Sequence, residues 1–150
     1  MRKNILLFLA FIFTAGSALA QTYTQPTGSA VSSSAATCSG TYYDNGGSGA
    51  NYNNSQSSSM TFYPGIAGQY ITLTFTAFDT QNGFDMLSIY DGPGGALLVS
   101  ISGIPAVPFT VTAAGSTGAL SCVFTSNGTT NRAGWTATVA CTTVAGTPPS

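Results

Sequence analysis

Residues 69–92 read QYITLTFTAFDTQNGFDMLSIYDG. Ile71, Leu73 and Phe75 alternate with Thr72, Thr74 and Thr76, the period-2 pattern of a strand with one buried and one solvated face. In a second strand, Leu87 and Ile89 share one face while Met86, Ser88 and Tyr90 share the other. Between the two lies Asp79-Thr80-Gln81-Asn82-Gly83, which is turn chemistry because Asn and Gly tolerate positive φ. Asp79 and Asp85 flank this turn, so oxygen ligands would sit on a rigid hairpin.

The same grammar extends outward. After the turn signal Asp91-Gly92-Pro93-Gly94-Gly95, residues 97–101 form a short apolar strand, which Gly103 and Pro105 bring to an end. Residues 109–112 and 120–124 alternate again, and residues 134–140 put Trp135, Ala137 and Val139 on one face. Upstream, residues 60–63 read as a strand stopped by Pro64-Gly65. Residues 38–59, CSGTYYDNGGSGANYNNSQSSS, read as an ordered loop region with a short strand at 41–43, anchored by Tyr42, Tyr43 and Tyr52. Residues 21–37, rich in Ser, Thr, Gly and Ala, read as a flexible leader or a loosely docked arm, and residues 142–150 as a linker-like tail.

No 3.6-residue apolar period occurs beyond the first twenty residues, and turn residues recur roughly every ten positions. Seven or eight short strands with this spacing predict an all-β sandwich. Its expected core is Ile71, Leu73, Phe75, Leu87, Ile89, Leu98, Val111, Leu120, Cys122, Phe124, Trp135 and Val139.

The first twenty residues stand apart. Arg2 and Lys3 precede an apolar run over 5–13, and Ala18-Leu19-Ala20 is a small-residue cleavage pattern. This is a secretory signal peptide, its apolar run too short to span a bilayer. Cleavage would leave a chain starting at Gln21, secreted or held at the cell surface. That chain keeps Arg132 against Asp44, Asp79, Asp85 and Asp91, a formal charge of 1 − 4 = −3. A nucleic-acid partner requires clustered Lys and Arg to neutralise phosphates, and anionic lipid requires the same; both are excluded. A surface of hydroxyls and amides suits neutral partners, and low net charge also permits self-association.

Three cysteines in a secreted chain suggest one bridge and one leftover thiol. Cys38 opens the folded region and Cys141 closes it, so a Cys38–Cys141 bond would staple its two ends; Cys38–Cys122 is the competing pairing. Cys122 is in phase with Leu120 and Phe124 and is expected to face the core as a buried free thiol.

Beyond residue 20 the chain has no His, Glu or Lys. A Ser-His-Asp triad, a Cys-His pair and a His-based zinc site are therefore excluded. Asp79 and Asp85 on an exposed turn make a poor acid–base pair for glycoside hydrolysis, lacking a groove of aromatic platforms. The expectation is a protein that is not an enzyme.

Taken in order, Cys38-x-Gly40, Tyr43-Asp44-Asn45-Gly46-Gly47, Asn51-Tyr52-Asn53-Asn54, Phe78-Asp79, Phe84-Asp85-x-Leu87-x-Ile89-Tyr90-Asp91-Gly92, Phe124-x-Ser126-Asn127 and Gly134-Trp135-x-Ala137 resemble a CUB domain, nearest to the CUB-like modules of bacterial secreted proteins. The resemblance spans about residues 38–141. It implies an antiparallel, jelly-roll-like β-sandwich of an extracellular binding module. It also implies a calcium site at one end of the sandwich. Asp85 matches the acid that opens the second strand, the acid of the preceding loop falls on Gln81 by direct count or on Asp79, and the last acid falls on Asn127. Carboxylate count governs calcium affinity, so this donor set implies weak binding. The competing reading has Asp79 and Asp85 capping turn backbone. A second cysteine bridge usual in vertebrate members is absent, with Tyr63 near the missing position.

Together these readings predict an adhesion or attachment module for a neutral glycan or extracellular protein, assisted by calcium, that does not insert in a membrane. Its expected contact residues are Tyr42, Tyr43, Asp44 and Tyr52 with the Asp79–Asp85 loop and Asn127, since tyrosines join a large apolar face to a hydroxyl. The alternative is a structural subunit that self-assembles into filaments or matrix by lending residues 21–37 to a neighbour as a strand.

Overall fold

The computed structural model describes residues 21–148; the signal peptide read at residues 1–20 lies outside them. Among the described residues, ten strands and no helix are found, and the strands form two five-stranded sheets. The first holds β1 (Thr22–Thr24), β3 (Ser39–Tyr43), β10 (Gly134–Thr142), β5 (Tyr70–Asp79) and β8 (Phe109–Thr112), in the order β1-β3-β10-β5-β8. The second holds β2 (Ser29–Thr37), β4 (Ser57–Pro64), β9 (Leu120–Thr125), β6 (Met86–Tyr90) and β7 (Leu97–Ile101), in the order β2-β4-β9-β6-β7.

The alternation works as the physical pattern demands. Ile71, Leu73 and Phe75 of β5 and Leu87 and Ile89 of β6 are fully buried, while Thr72, Thr74 and Thr76 point outward. Thr22, Thr41, Thr138, Thr74 and Thr110 stand opposite one another in a single row across the first sheet. The buried faces meet in one core that adds Tyr42, Tyr52, Phe62 and Phe78 to the expected residues, and Trp135 stacks on Phe78 and meets Phe124 edge-on. Leu98 and Val111 pack at its margin and remain half-buried, because β7 and β8 are the outermost strands on that side of the sandwich.

Three expectations need correction. β5 and β6 are not a hairpin: β5 pairs with β10 and β8 in the first sheet and β6 with β7 and β9 in the second, so the turn between them crosses from one sheet to the other. Residues 21–37 are not a flexible leader: β1 pairs with β3, and β2 with β4 over eight registered positions, both in parallel. The sandwich is therefore mixed at these two edges rather than wholly antiparallel. Gln25, between the two strands, anchors the segment: it is 1% exposed, donates Nε2 to Ser58 O (2.8 Å) and Ser58 Oγ (3.0 Å), and accepts the Tyr42 hydroxyl on Oε1. The tail is also bound at its start, where Gly146 N donates to Ala113 O at 2.8 Å.

Cys38 and Cys141 form the disulfide, Cα–Cα 4.8 Å across a separation of 103 residues. Closing a loop of that length restricts the unfolded chain by about 4–5 kcal/mol in the chain-entropy account. Cys122 is free and buried, and burial pushes its thiol up to about 12.

Candidate functional site at the loop end

At the end of the sandwich where β5 gives way to β6, the turn closes tightly: Phe84 N and Asp85 N both donate to Gln81 O, at 3.1 and 2.9 Å. Buried Thr80 locks this turn to the next loop, its Oγ1 donating to Asp85 O and accepting from Gly103 N, each at 3.0 Å. Gly83 N adds a bond to Ser102 Oγ at 3.1 Å.

Asp85 is wholly buried and both its oxygens are engaged. Oδ2 accepts the Tyr52 hydroxyl at 2.6 Å and Oδ1 accepts Asn127 N at 2.8 Å. The Tyr52 oxygen in turn accepts Gln81 N at 3.0 Å. Asn127 Nδ2 donates to Gln81 Oε1 at 2.9 Å, and Asn127 Oδ1 accepts Thr129 N at 2.9 Å. Burial, then the Asp85 carboxylate, pushes the Tyr52 phenol well above its ordinary value, which keeps it a hydrogen donor. Three segments far apart in sequence thus meet in one network.

Asp79 lies beside this network rather than in it. Its Oδ1 accepts no hydrogen bond and faces Arg132 Nε at 3.9 Å. Asp79 and Arg132 line a cleft of about 410 Å³ together with Asn82, Ser102 and Ile104. On the loops that frame it, Phe84 is 65% and Ile104 76% exposed.

Of the expected site residues, Asp85, Gln81 and Asn127 do converge, and Tyr52 joins them from inside. Tyr42, Asp44 and Tyr52 are 0% exposed and offer no contact surface. Asp44 is a brace: Oδ1 accepts Gly46 N at 2.7 Å and Oδ2 accepts Trp135 N at 3.1 Å. Gly134, at φ 72°, leaves room for that carboxylate where a Cβ would collide with Oδ2. Burial pushes Asp44 up to about 6 against the lowering pull of the two N–H donors. Tyr43 is half-buried on β3, opposite Thr136.

Sequence reasoning passed over Phe84, Ile104 and Arg132. The available signal was an apolar residue set inside turn chemistry, Asn82-Gly83-Phe84 and Gly103-Ile104-Pro105, where no strand face exists to bury it.

The donor set was tested against a calcium ion, which takes six to eight oxygens with carboxylates among them. Both Asp85 oxygens already accept hydrogens, Gln81 and Asn127 bond each other, and Asp79 faces a guanidinium. Among the described residues no group of three or more His, Cys, Asp or Glu comes together. This arrangement does not fit a calcium ion.

No family model matches the sequence, and no curated protein matches it. Solved structures do resemble the fold. The calcium-bound second CUB domain of MASP-1 is 18% identical, with TM-score 0.58, over 71% of this chain and 96% of that one. The CUB1-EGF-CUB2 region of human MASP-1/3 is 17% identical, with TM-score 0.62, over 73% of this chain and 42% of that one. The extracellular region of zebrafish Gpr126/Adgrg6 is 16% identical, with TM-score 0.61, over 83% of this chain and 15% of that one. Two five-stranded sheets joined by the β5–β6 turn, and the likeness to these solved domains, make the chain a CUB-like β-sandwich.

Proposed function

We propose that the chain is a secreted, non-catalytic module that binds an extracellular protein through its loop end. The observation that carries this reading is the pair Phe84 and Ile104, two large apolar side chains held in solvent on loops bonded to one another beside the Asp79–Arg132 cleft. Exposed apolar groups next to a charged pair suit a protein surface, where apolar anchors carry most of the affinity. The solved neighbours include an extracellular region, and the secretion signal read in residues 1–20 supports the same compartment for this chain. With Tyr42 and Tyr52 in the core, the tyrosines expected to meet a glycan are withdrawn from this end, which favours protein over glycan. Self-assembly by strand donation loses its motive, since residues 21–37 already pair with β3 and β4.

The test is site-directed photocrosslinking on the producing cell's surface and secreted proteins. A benzophenone side chain at position 84 or 104 is expected to yield a discrete protein adduct, and one at Thr74 on the outer sheet face is not. Equal labelling from all three positions would sink the reading.

A further inference from the structure

We propose that this chain closes its loop end with a metal-free hydrogen-bond clasp, Tyr52–Asp85–Asn127–Gln81, and that the amides Gln81 and Asn127 make the end indifferent to calcium. Four hydrogens converge on the clasp: the Tyr52 hydroxyl, Gln81 N–H, Asn127 N–H and one hydrogen of Asn127 Nδ2. Each presents the positive end of a bond dipole where a cation would need oxygen lone pairs. The clasp holds a single formal charge, on Asp85. Asp79, at the end of β5, faces Arg132, so an entering cation would meet like charge there.

The Asn127 Nδ2 to Gln81 Oε1 bond is the decisive contact. It joins the two side chains directly, with one amide donating and the other accepting. Acids at both positions would have no hydrogen to share at neutral pH and would repel each other across the bond length, a strain that a divalent ion between them relieves. The amides remove both the repulsion and the charge that attracts the ion. What remains ties residue 52, the β5–β6 turn and the segment after β9 by protein–protein bonds alone. A carboxylate fully satisfied in this way is buried without uncompensated cost.

The test measures melting of residues 21–150 in EDTA and in millimolar calcium, for wild type and for the Gln81→Glu/Asn127→Asp double variant. Terbium luminescence sensitised through Tyr52 provides a second readout on the wild type at constant temperature. The clasp predicts no shift in wild-type melting and no terbium signal. The double variant should melt lower in EDTA and recover by several degrees in calcium, because a ion bound only to the native state raises its stability by mass action. A wild-type rise of several degrees, or a saturable terbium signal, would overturn the proposal. An unresponsive wild type with an equally unresponsive folded variant would overturn the role given to the two amides. If the variant does not fold, the wild-type melting and terbium measurements decide. The readout uses the free domain, so it stands or falls separately from the partner surface.

Discussion

The Tyr52 hydroxyl donates to Asp85 Oδ2 at 2.6 Å across 33 residues of sequence, and both residues are completely buried. This bond replaces water at a carboxylate that the core would otherwise reject, and it fixes the position of the whole loop end. Tyr52→Phe keeps the ring and its edge contact with Phe124 but strips one donor from a buried carboxylate and one acceptor from Gln81 N. The expected loss is about 2 kcal/mol, measured by urea denaturation, with the same loss in EDTA and in calcium. A loss under half a kcal/mol would mean that water reaches Asp85 and that the clasp is not closed.

Gln25 is the corresponding anchor for the N-terminal segment. Gln25→Ala removes the partners of Tyr42 Oη and Ser58 O and leaves a cavity, with an expected cost of about 3 kcal/mol. Deleting residues 21–37 should cost more, since it strips an edge strand from each sheet and uncovers Tyr42. A truncated protein that melts with the intact one would show that this segment merely rests on the sandwich.

Asp44 gives a pH signature. Its carboxyl is pushed up to about 6 from an ordinary 3.8, chiefly by burial, so the native state favours the protonated form. The stability it contributes is complete below about pH 4 and is lost as pH rises through about 6. Compared with Asp44→Asn, which stays neutral throughout, the wild type should lose on the order of 2 kcal/mol between about pH 4 and pH 7. Paired melts of the two proteins across that range provide the check, and a gap that widens in favour of the wild type with rising pH would refute the assignment.

Cys122 should be silent. Burial holds its thiol up to about 12, so little thiolate forms at neutral pH and no reagent reaches it. Ellman's reagent is expected to find no reactive thiol in the native protein and one per chain in denaturant without reductant. Fast reaction in the native state would place Cys122 outside the core. Replacing Cys38 and Cys141 with alanine should cost 2–5 kcal/mol, the usual range for removing a native bridge.

Much of this fold could be read locally. The two-residue period of β5 and β6 reports which side chains turn inward, and that information is complete within each strand. Cys122 was assigned to the core by phase with Leu120 and Phe124, and FDMLSIYDG carried the resemblance that the solved neighbours bear out. The convergence of Asp85, Gln81 and Asn127 followed from the same resemblance.

Other features depend on partners that no local pattern names. Tyr42, Tyr52 and Asp44 looked like surface chemistry because they sit among Gly, Asn and Ser, yet their partners Gln25, Asp85 and Trp135 stand 17, 33 and 91 residues away. The strand β2, SAVSSSAAT, carries almost no apolar alternation because an edge strand with a mostly solvated surface needs none; its identity comes from backbone pairing with β4. Composition and period reveal which faces of a strand tolerate water. Which backbone lies alongside, and whether a carboxylate meets a cation or a hydroxyl, depends on distant segments brought within hydrogen-bonding range, and only the folded chain sets those distances.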